Sequence, residues 1–217
     1  MRINKYIAGA TGMSRRAVDT AIADGRVTVN GQPADAGQQI GSSDEVMIDK
    51  RSITPAVKTL TLILNKPVGY VVSRDGQGSQ TIYDLLPPQY HTLKPVGRLD
   101  KDSSGLLLLT NDGQLAHELT HPSFQKEKMY EVELDKPLMP RDQQAIESGV
   151  ELGDGVSRLS LRGEGPAWII TMSEGRNRQI RRTFAARGYI VIQLHRTQFG
   201  PHTLENLAAG KFKTLSK

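Results

Sequence analysis

Two carboxylates stand one residue apart in Gly97-Arg98-Leu99-Asp100-Lys101-Asp102-Ser103-Ser104-Gly105, directly ahead of the apolar run Leu106-Leu107-Leu108-Leu109-Thr110. An ionised carboxylate can attack an electrophilic carbon or stabilise positive charge developing on a sugar carbon. The apolar run can pin the polar loop to a rigid core, a common support for reactive groups. Asp, Ser and Gly are also the ordinary residues of a surface turn, and composition alone favours that reading. Asp102 suits a capping role in the loop better than that of a second acid.

Cations for such a site are concentrated in Glu174-Gly175-Arg176-Asn177-Arg178-Gln179-Ile180-Arg181-Arg182. A helix over 177–187, closed by Gly188, would set Arg178, Arg181 and Arg182 on one face at i, i+3 and i+4. Ile180 and Phe184 would share another face, suited to packing on a sheet. For Arg178 and Arg182 a phosphate grip and a solvated basic face fit equally well, and spacing does not single out Arg181.

These groups need elements to hold them. Short β-prone runs recur at 59–64, 70–73, 106–110, 168–172 and 189–194. Met129-Tyr130-Glu131-Val132-Glu133-Leu134 alternates, with Tyr130, Val132 and Leu134 on one face. Helices are expected from Asp112-Gly113 to His121-Pro122 and over 141–148. Many strands with few, separated helices imply an α+β domain around a mixed, mainly antiparallel sheet. Trp168 reads as core, and Tyr70 as core rather than surface. Residues 1–50 form a separate small module. Ser14 N-caps a helix whose Val18, Ala21 and Ile22 share a face, Asp24-Gly25 ends it, and Asn30-Gly31 turns a β-hairpin. Residues 51–58 are aperiodic and contain Pro55, as a linker would. The division is therefore 1–50, a link over 51–58, and a main domain over 59–217.

The net charge is +5 over 217 residues, and it is unevenly spread. From Glu174 onward there are nine basic and two acidic side chains. Arginines crowd 176–187, which points to a polyanion-binding face rather than a solubilising tail. The chain has no cysteine, so disulfides and thiolate metal sites are excluded. No apolar stretch approaches membrane-spanning length and the first residues lack a signal core, which suggests a cytoplasmic protein.

Ser14-Arg15-Arg16, a helix, and Asp24-Gly25-Arg26-Val27-Thr28-Val29-Asn30-Gly31 together resemble the alpha-L RNA-binding motif. The resemblance implies an RNA-binding module presenting Lys5, Arg15, Arg16 and Arg26. Gly-Arg-Leu-Asp-x-x-Ser-x-Gly-Leu-Leu, beginning at Gly97, resembles the signature loop of the RsuA-like pseudouridine synthases. Asn65-Lys66-Pro67-Val68-Gly69 resembles that family's opening strand and turn. Lys128-Met129-Tyr130 is similar to its tyrosine-bearing strand, and the arginine-rich segment to its third motif. Thr183 stands where methionine is expected. The resemblance implies a catalytic set of Asp100 as nucleophile or its equivalent, Tyr130 stacking on an extruded base, and Arg181 pairing with Asp100. Lys66, Arg98, Arg178 and Arg182 are expected to touch RNA or shape the site.

Pseudouridine formation breaks the N1–C1′ bond of uridine and rejoins the turned base through C5. It needs no redox partner or external group, so no cofactor is expected. His91, His117, His121, His195 and His202 lack metal-ligand spacing with acidic partners. His117 and His121, at i and i+4, lack the glutamate of the zinc-protease pattern. No metal site is expected, and the histidines read as structural or RNA-facing. The expected partner is structured RNA, foremost ribosomal RNA of the large subunit, met by a monomer without a membrane. One rival is a non-catalytic RNA-binding or ribosome-assembly protein. Another is a hydrolase using Asp100 and Asp102 as a carboxylate pair.

Overall fold

The structure is a computed structural model that describes residues 1–41, 43–53 and 59–215. Its contacts separate two units, Met1–Leu60 with Asn111–Gly113, and Thr61–Thr110 with Gln114–Lys217.

In the first unit, helices α1 (Ile3–Thr11) and α2 (Arg15–Ala23) precede a small sheet. Its strands are β1 (Val27–Val29), β2 (Gln32–Pro33), β3 (Val46–Ile48) and β4 (Arg51–Ile53), in the order β2-β1-β3-β4. Ser14 Oγ accepts the Ala17 N–H at 3.0 Å, the expected cap of α2. Asn30 and Gly31 both take positive φ, the conformation a two-residue hairpin turn requires. Helix α1 has no strong signature of its own, since β-branched residues and glycine dilute it. It forms because Ile3 and Ile7, one turn apart, are fully buried in a cluster with Val18, Ala21, Val27 and Val46. The link is expected over 51–58. Residues 51–53 are β4, paired to β3 from Val46↔Ile53 to Ile48↔Arg51, while 54–58 lie outside the described residues.

The second unit runs through β5 (Thr61–Lys66), β6 (Lys94–Val96), β7 (Ser104–Thr110), helix α3 (Gly113–Thr120) and β8 (Lys128–Leu134). It continues with α4 (Pro140–Ser148), β9 (Val150–Leu152), β10 (Gly155–Ser157), β11 (Ser160–Glu164) and β12 (Ala167–Met172). It finishes with α5 (Gln179–Ala185), β13 (Val191–Phe199), β14 (His202–Thr203) and β15 (Phe212–Leu215). The main path of the sheet is β11-β12-β8-β13-β7-β5-β15, with β14 beside β13 and β6 beside β7. The described neighbours pair antiparallel except β13 and β7, which run parallel. The sheet is thus mixed and mainly antiparallel, and the fold class is α+β. Strands β9 and β10 form a separate hairpin.

Leu106 to Leu109 of β7 are all 0% exposed, so both faces of this strand are covered. Each buried leucine contributes about 1.5–3 kcal/mol. That anchor is what the preceding loop hangs from. The run at 70–73 is not a strand; Val71 makes only an isolated bridge to Thr81. The helix expected over 177–187 is shorter, because Arg178 has φ 47° and so stands outside it as its N-cap. No helix among the described residues is long and apolar enough to cross a membrane.

One row across the sheet sets the site. Gly105 of β7, Arg196 of β13, Tyr130 of β8 and Ile170 of β12 are successive register partners. A Cβ on Gly105 would lie 2.3 Å from the Arg196 carbonyl oxygen and 2.5 Å from its nitrogen, so only glycine lets the two strands meet here.

Candidate active site

The loop before β7 is tied down from below by a buried cation. Lys66 closes β5 and is 0% exposed. Its Nζ donates to the carbonyl oxygens of Pro67 at 3.0 Å, Asp100 at 3.1 Å and Ser103 at 2.6 Å. Desolvation lowers its pKa to about 8, partly opposed by the charges of Asp100 and Asp102. The Ser103 N–H donates back to the Asp100 carbonyl at 3.1 Å, and the Gly69 N–H donates to the Lys101 carbonyl at 2.8 Å. Ser103 and Leu99 are buried. The backbone at Asp100 is therefore fixed, while its side chain stays 35% exposed. Lys66 is fully buried beneath the loop, with its donors directed at these three carbonyls.

The arginines sort differently from their spacing. Arg178, in its left-handed turn, grips Asp102 with Nη1 and Nη2 at 2.9 and 2.8 Å. It is also the cation beside Asp100, with Nη1 3.5 Å from Oδ2. Arg181 does not form the expected pair with Asp100. Its Nε lies 3.3 Å from Asp102 Oδ2, Nη2 donates to the Asp102 carbonyl at 2.7 Å, and Nη1 donates to the Val191 carbonyl at 2.7 Å. The physical reason is reach: α5 begins after Arg178, so Arg181 sits a turn farther back against β13. The hydrogen bond from Arg178 holds the Asp102 carboxyl below its ordinary value, and burial pushes Arg181 down. Asp102 is thus the hub joining the loop to the arginines, a firmer duty than the loop cap expected of it.

Arg182 is held by Asp154 of the β9–β10 turn, at 3.0 and 2.8 Å. Arg176 donates to the carbonyls of Asp154, Gly155 and Val156 in the same hairpin. Both guanidiniums are paired within the protein, and the Arg182 side chain stays 35% exposed. Thr183, the departure from the family pattern, is fully buried, and its hydroxyl donates to the Gln179 carbonyl at 2.8 Å. In the first unit Lys5, Arg15 and Arg16 are exposed, whereas Arg26 is bound by Asp49 at 2.7 and 2.6 Å.

Asp100, Tyr130, Arg98 and Arg178 line one cleft of about 510 Å³, and Arg181 is not among the residues lining it. Tyr130 is 8% exposed and faces it from β8. Sequence reasoning missed two further cations there. Lys128 Nζ donates to the carbonyls of Lys126, Ser173 and Glu174, and burial pushes its pKa down. Arg196 is 2% exposed, donates from Nε to the Leu106 carbonyl at 2.8 Å, and lies 4.9 Å from the Phe199 ring centre. Its Nη2 has no hydrogen-bond partner among the described residues. No local pattern marks Arg196; only the pairing of β13 between β7 and β8 brings it in. No cluster of three His, Asp or Glu able to hold a metal is found among the described residues.

A cleft with a fixed carboxylate, a cation 3.5 Å away and a facing tyrosine can open a glycosidic bond and hold the freed base. Comparison with known proteins agrees with that chemistry. Residues 60–186 match the RNA pseudouridylate synthase family, and residues 1–46 match the S4 domain. Ribosomal small subunit pseudouridine synthase A of Salmonella typhimurium is 37% identical over all of this chain and 97% of its own. Ribosomal large subunit pseudouridine synthase B of Pseudomonas aeruginosa is 36% identical over the whole chain, which spans 60% of that protein. A crystal structure of a pseudouridylate synthase superposes with a TM-score of 0.72 at 34% identity, covering 100% of this chain and 96% of that one. The fold, the ordered motifs and these full-length likenesses place the chain in the RNA pseudouridylate synthase family, with an S4 domain at its N-terminal side.

Proposed function

We propose that this protein isomerises a specific uridine of ribosomal RNA to pseudouridine, as a monomer and with Asp100 as the essential carboxylate. The observation that carries the reading is the meeting of Asp100, Arg178 and Tyr130 on one cleft large enough for a nucleotide. The target uridine leaves its stack and enters this cleft, at a cost of a few kcal/mol. The Asp100 carboxylate assists departure of N1 from C1′, and Arg178 beside it offsets the charge. Tyr130 holds the loosened uracil by stacking while it turns. C5 then bonds to C1′, the hydrogen on C5 leaves as a proton, and N1 gains one. Atoms and electrons balance without an external group. Arg181 acts through Asp102, as a positioning residue. Lys5, Arg15 and Arg16 of the S4 domain supply sequence-independent grip on phosphates.

Large-subunit RNA is the first substrate to test and small-subunit RNA the second, since the relatives include enzymes named for each. The test treats unmodified ribosomal RNA with wild type and with Asp100→Ala, and maps carbodiimide-labelled pseudouridine by primer extension. One new stop with wild type and none with a variant that still binds RNA supports the reading. Equal modification by both proteins overturns the role of Asp100. Release of free uracil makes the protein a hydrolase instead.

A further inference from the structure

Between α3 and β8 the chain turns three aromatic rings toward solvent. His117 sits in the last turn of α3, His121 caps the short turn Pro122–Phe124, and Phe124 ends it. The ring centres of His117 and His121 are 4.8 Å apart, and Phe124 lies 5.7 and 6.2 Å from them. All three are exposed, Phe124 to 44%. The three rings form a surface cluster of aromatic faces rather than a single exposed side chain. The turn is well fixed. His121 Nδ1 accepts the Ser123 N–H at 3.3 Å, the Phe124 N–H donates to the His121 carbonyl at 3.1 Å, and Gln125 closes the turn with φ 43°.

Its position gives the patch a use. His121 and Pro122 line the cleft that holds Asp100 and Tyr130. Three residues on, Gln125 and Glu127 line a second hollow of about 480 Å³. Met172 and Ser173 line both. Phe124 thus falls in the chain between residues that line the cleft and residues that line the second hollow. Arg98 and Lys126 also line the cleft. Lys128 is already committed to three carbonyls and is not counted among the phosphate contacts.

We propose that His117, His121 and Phe124 form a stacking subsite for the base of a nucleotide flanking the target uridine, with Arg98 and Lys126 on the connecting phosphates. Aromatic faces hold any base by its π-face, whereas base edges need directed donors and acceptors, so the subsite binds without reading sequence. The inference rests on the proposed reading of the cleft.

Two measurements test it separately from that reading. On a ribosomal RNA transcript that wild type modifies, Phe124→Ala raises KM about 5- to 150-fold, the fold-change of losing one base stack, and leaves kcat within about twofold. A fall in kcat with unchanged KM overturns the subsite. Independently, Phe124→Trp is titrated with poly(A), using wild type with Trp168 alone as the baseline. Saturable quenching beyond that baseline supports stacking whether or not any transcript is modified, and its absence overturns it. Wild type that modifies no transcript sinks the reading of the cleft, while the quenching result still decides the subsite.

Discussion

Replacing Lys66 with methionine leaves a chain of similar length in the same slot and removes the charge that three carbonyls share. Two opposed effects follow. Burial lowers Lys66 from 10.5 to about 8, so holding the charge there at neutral pH costs about 3 kcal/mol. The variant is relieved of that cost. It also leaves the carbonyls of Pro67, Asp100 and Ser103 without this donor, at about 1–3 kcal/mol each. The expected net loss of stability is about 3 kcal/mol, measured by urea unfolding with RNA absent. The loss in chemistry is expected to be larger than the net loss of stability suggests. The freed carbonyl belongs to Asp100 itself, and a displacement of about 1 Å costs about 100-fold in rate. Release of tritium from RNA carrying 5-tritiated uridine, in single turnover at saturating enzyme and at a temperature where the variant is folded, reads this step. A Lys66→Met protein that reacts as fast as wild type would refute the claim that this cation aims the carboxylate. The pH profile gives a second check. Above about pH 8 the folded protein loses the third N–H, and the single-turnover rate falls. The folded pKa lies below the unfolded value of 10.5, so the unfolded chain holds more protons between the two, and this group's contribution to stability rises over the same window. Rate and stability should therefore move in opposite directions.

Three further outcomes are expected. Gly105→Ala drives a Cβ into the backbone of Arg196 at a φ of 106°, and should destabilise the second unit by more than about 4 kcal/mol or prevent folding; a urea midpoint within error of wild type would contradict the close approach. Arg182→Gln should change RNA affinity less than about twofold at physiological salt, because Asp154 already holds that guanidinium; a clear drop in the salt slope of binding would return Arg182 to the phosphate contacts. Arg178→Lys loses the two-pronged grip on Asp102 and should slow the single-turnover rate at least about tenfold with little change in RNA affinity, whereas an unchanged rate would remove Arg178 as the partner of the carboxylates.

What could be read in advance was local. Ser14 announces its helix, the alternation around Tyr130 announces β8, and the four leucines announce a buried strand. The partners of the charges were not local. Spacing placed Arg178, Arg181 and Arg182 on one face, but Arg178 turns left-handed ahead of the helix and Asp154 takes Arg182 from 28 residues away. Lys66 looks like a surface lysine in the sequence, and nothing along the chain from it to Asp100, 34 positions on, signals that the loop will close over it. Helix α1 is likewise a product of packing, since Ile3 and Ile7 acquire their reason only when the small sheet is present.

The parallel seam between β7 and β13 also bears on how the protein is made. Ser104 Oγ meets His195 Nδ1 across 91 residues, and Asn65 Nδ2 reaches the Leu207 carbonyl across 142. Contacts of that span close late and slowly, because the long intervening chain loses its freedom before they reward it. Lys66, the loop carboxylates, Tyr130 and Arg196 can come together only after β13 has inserted between β7 and β8. During synthesis at about 5–20 residues per second, the S4 domain can fold and grip RNA well before there is a cleft. The order of events is then capture first and competence afterwards, with a nascent protein that binds before it can react.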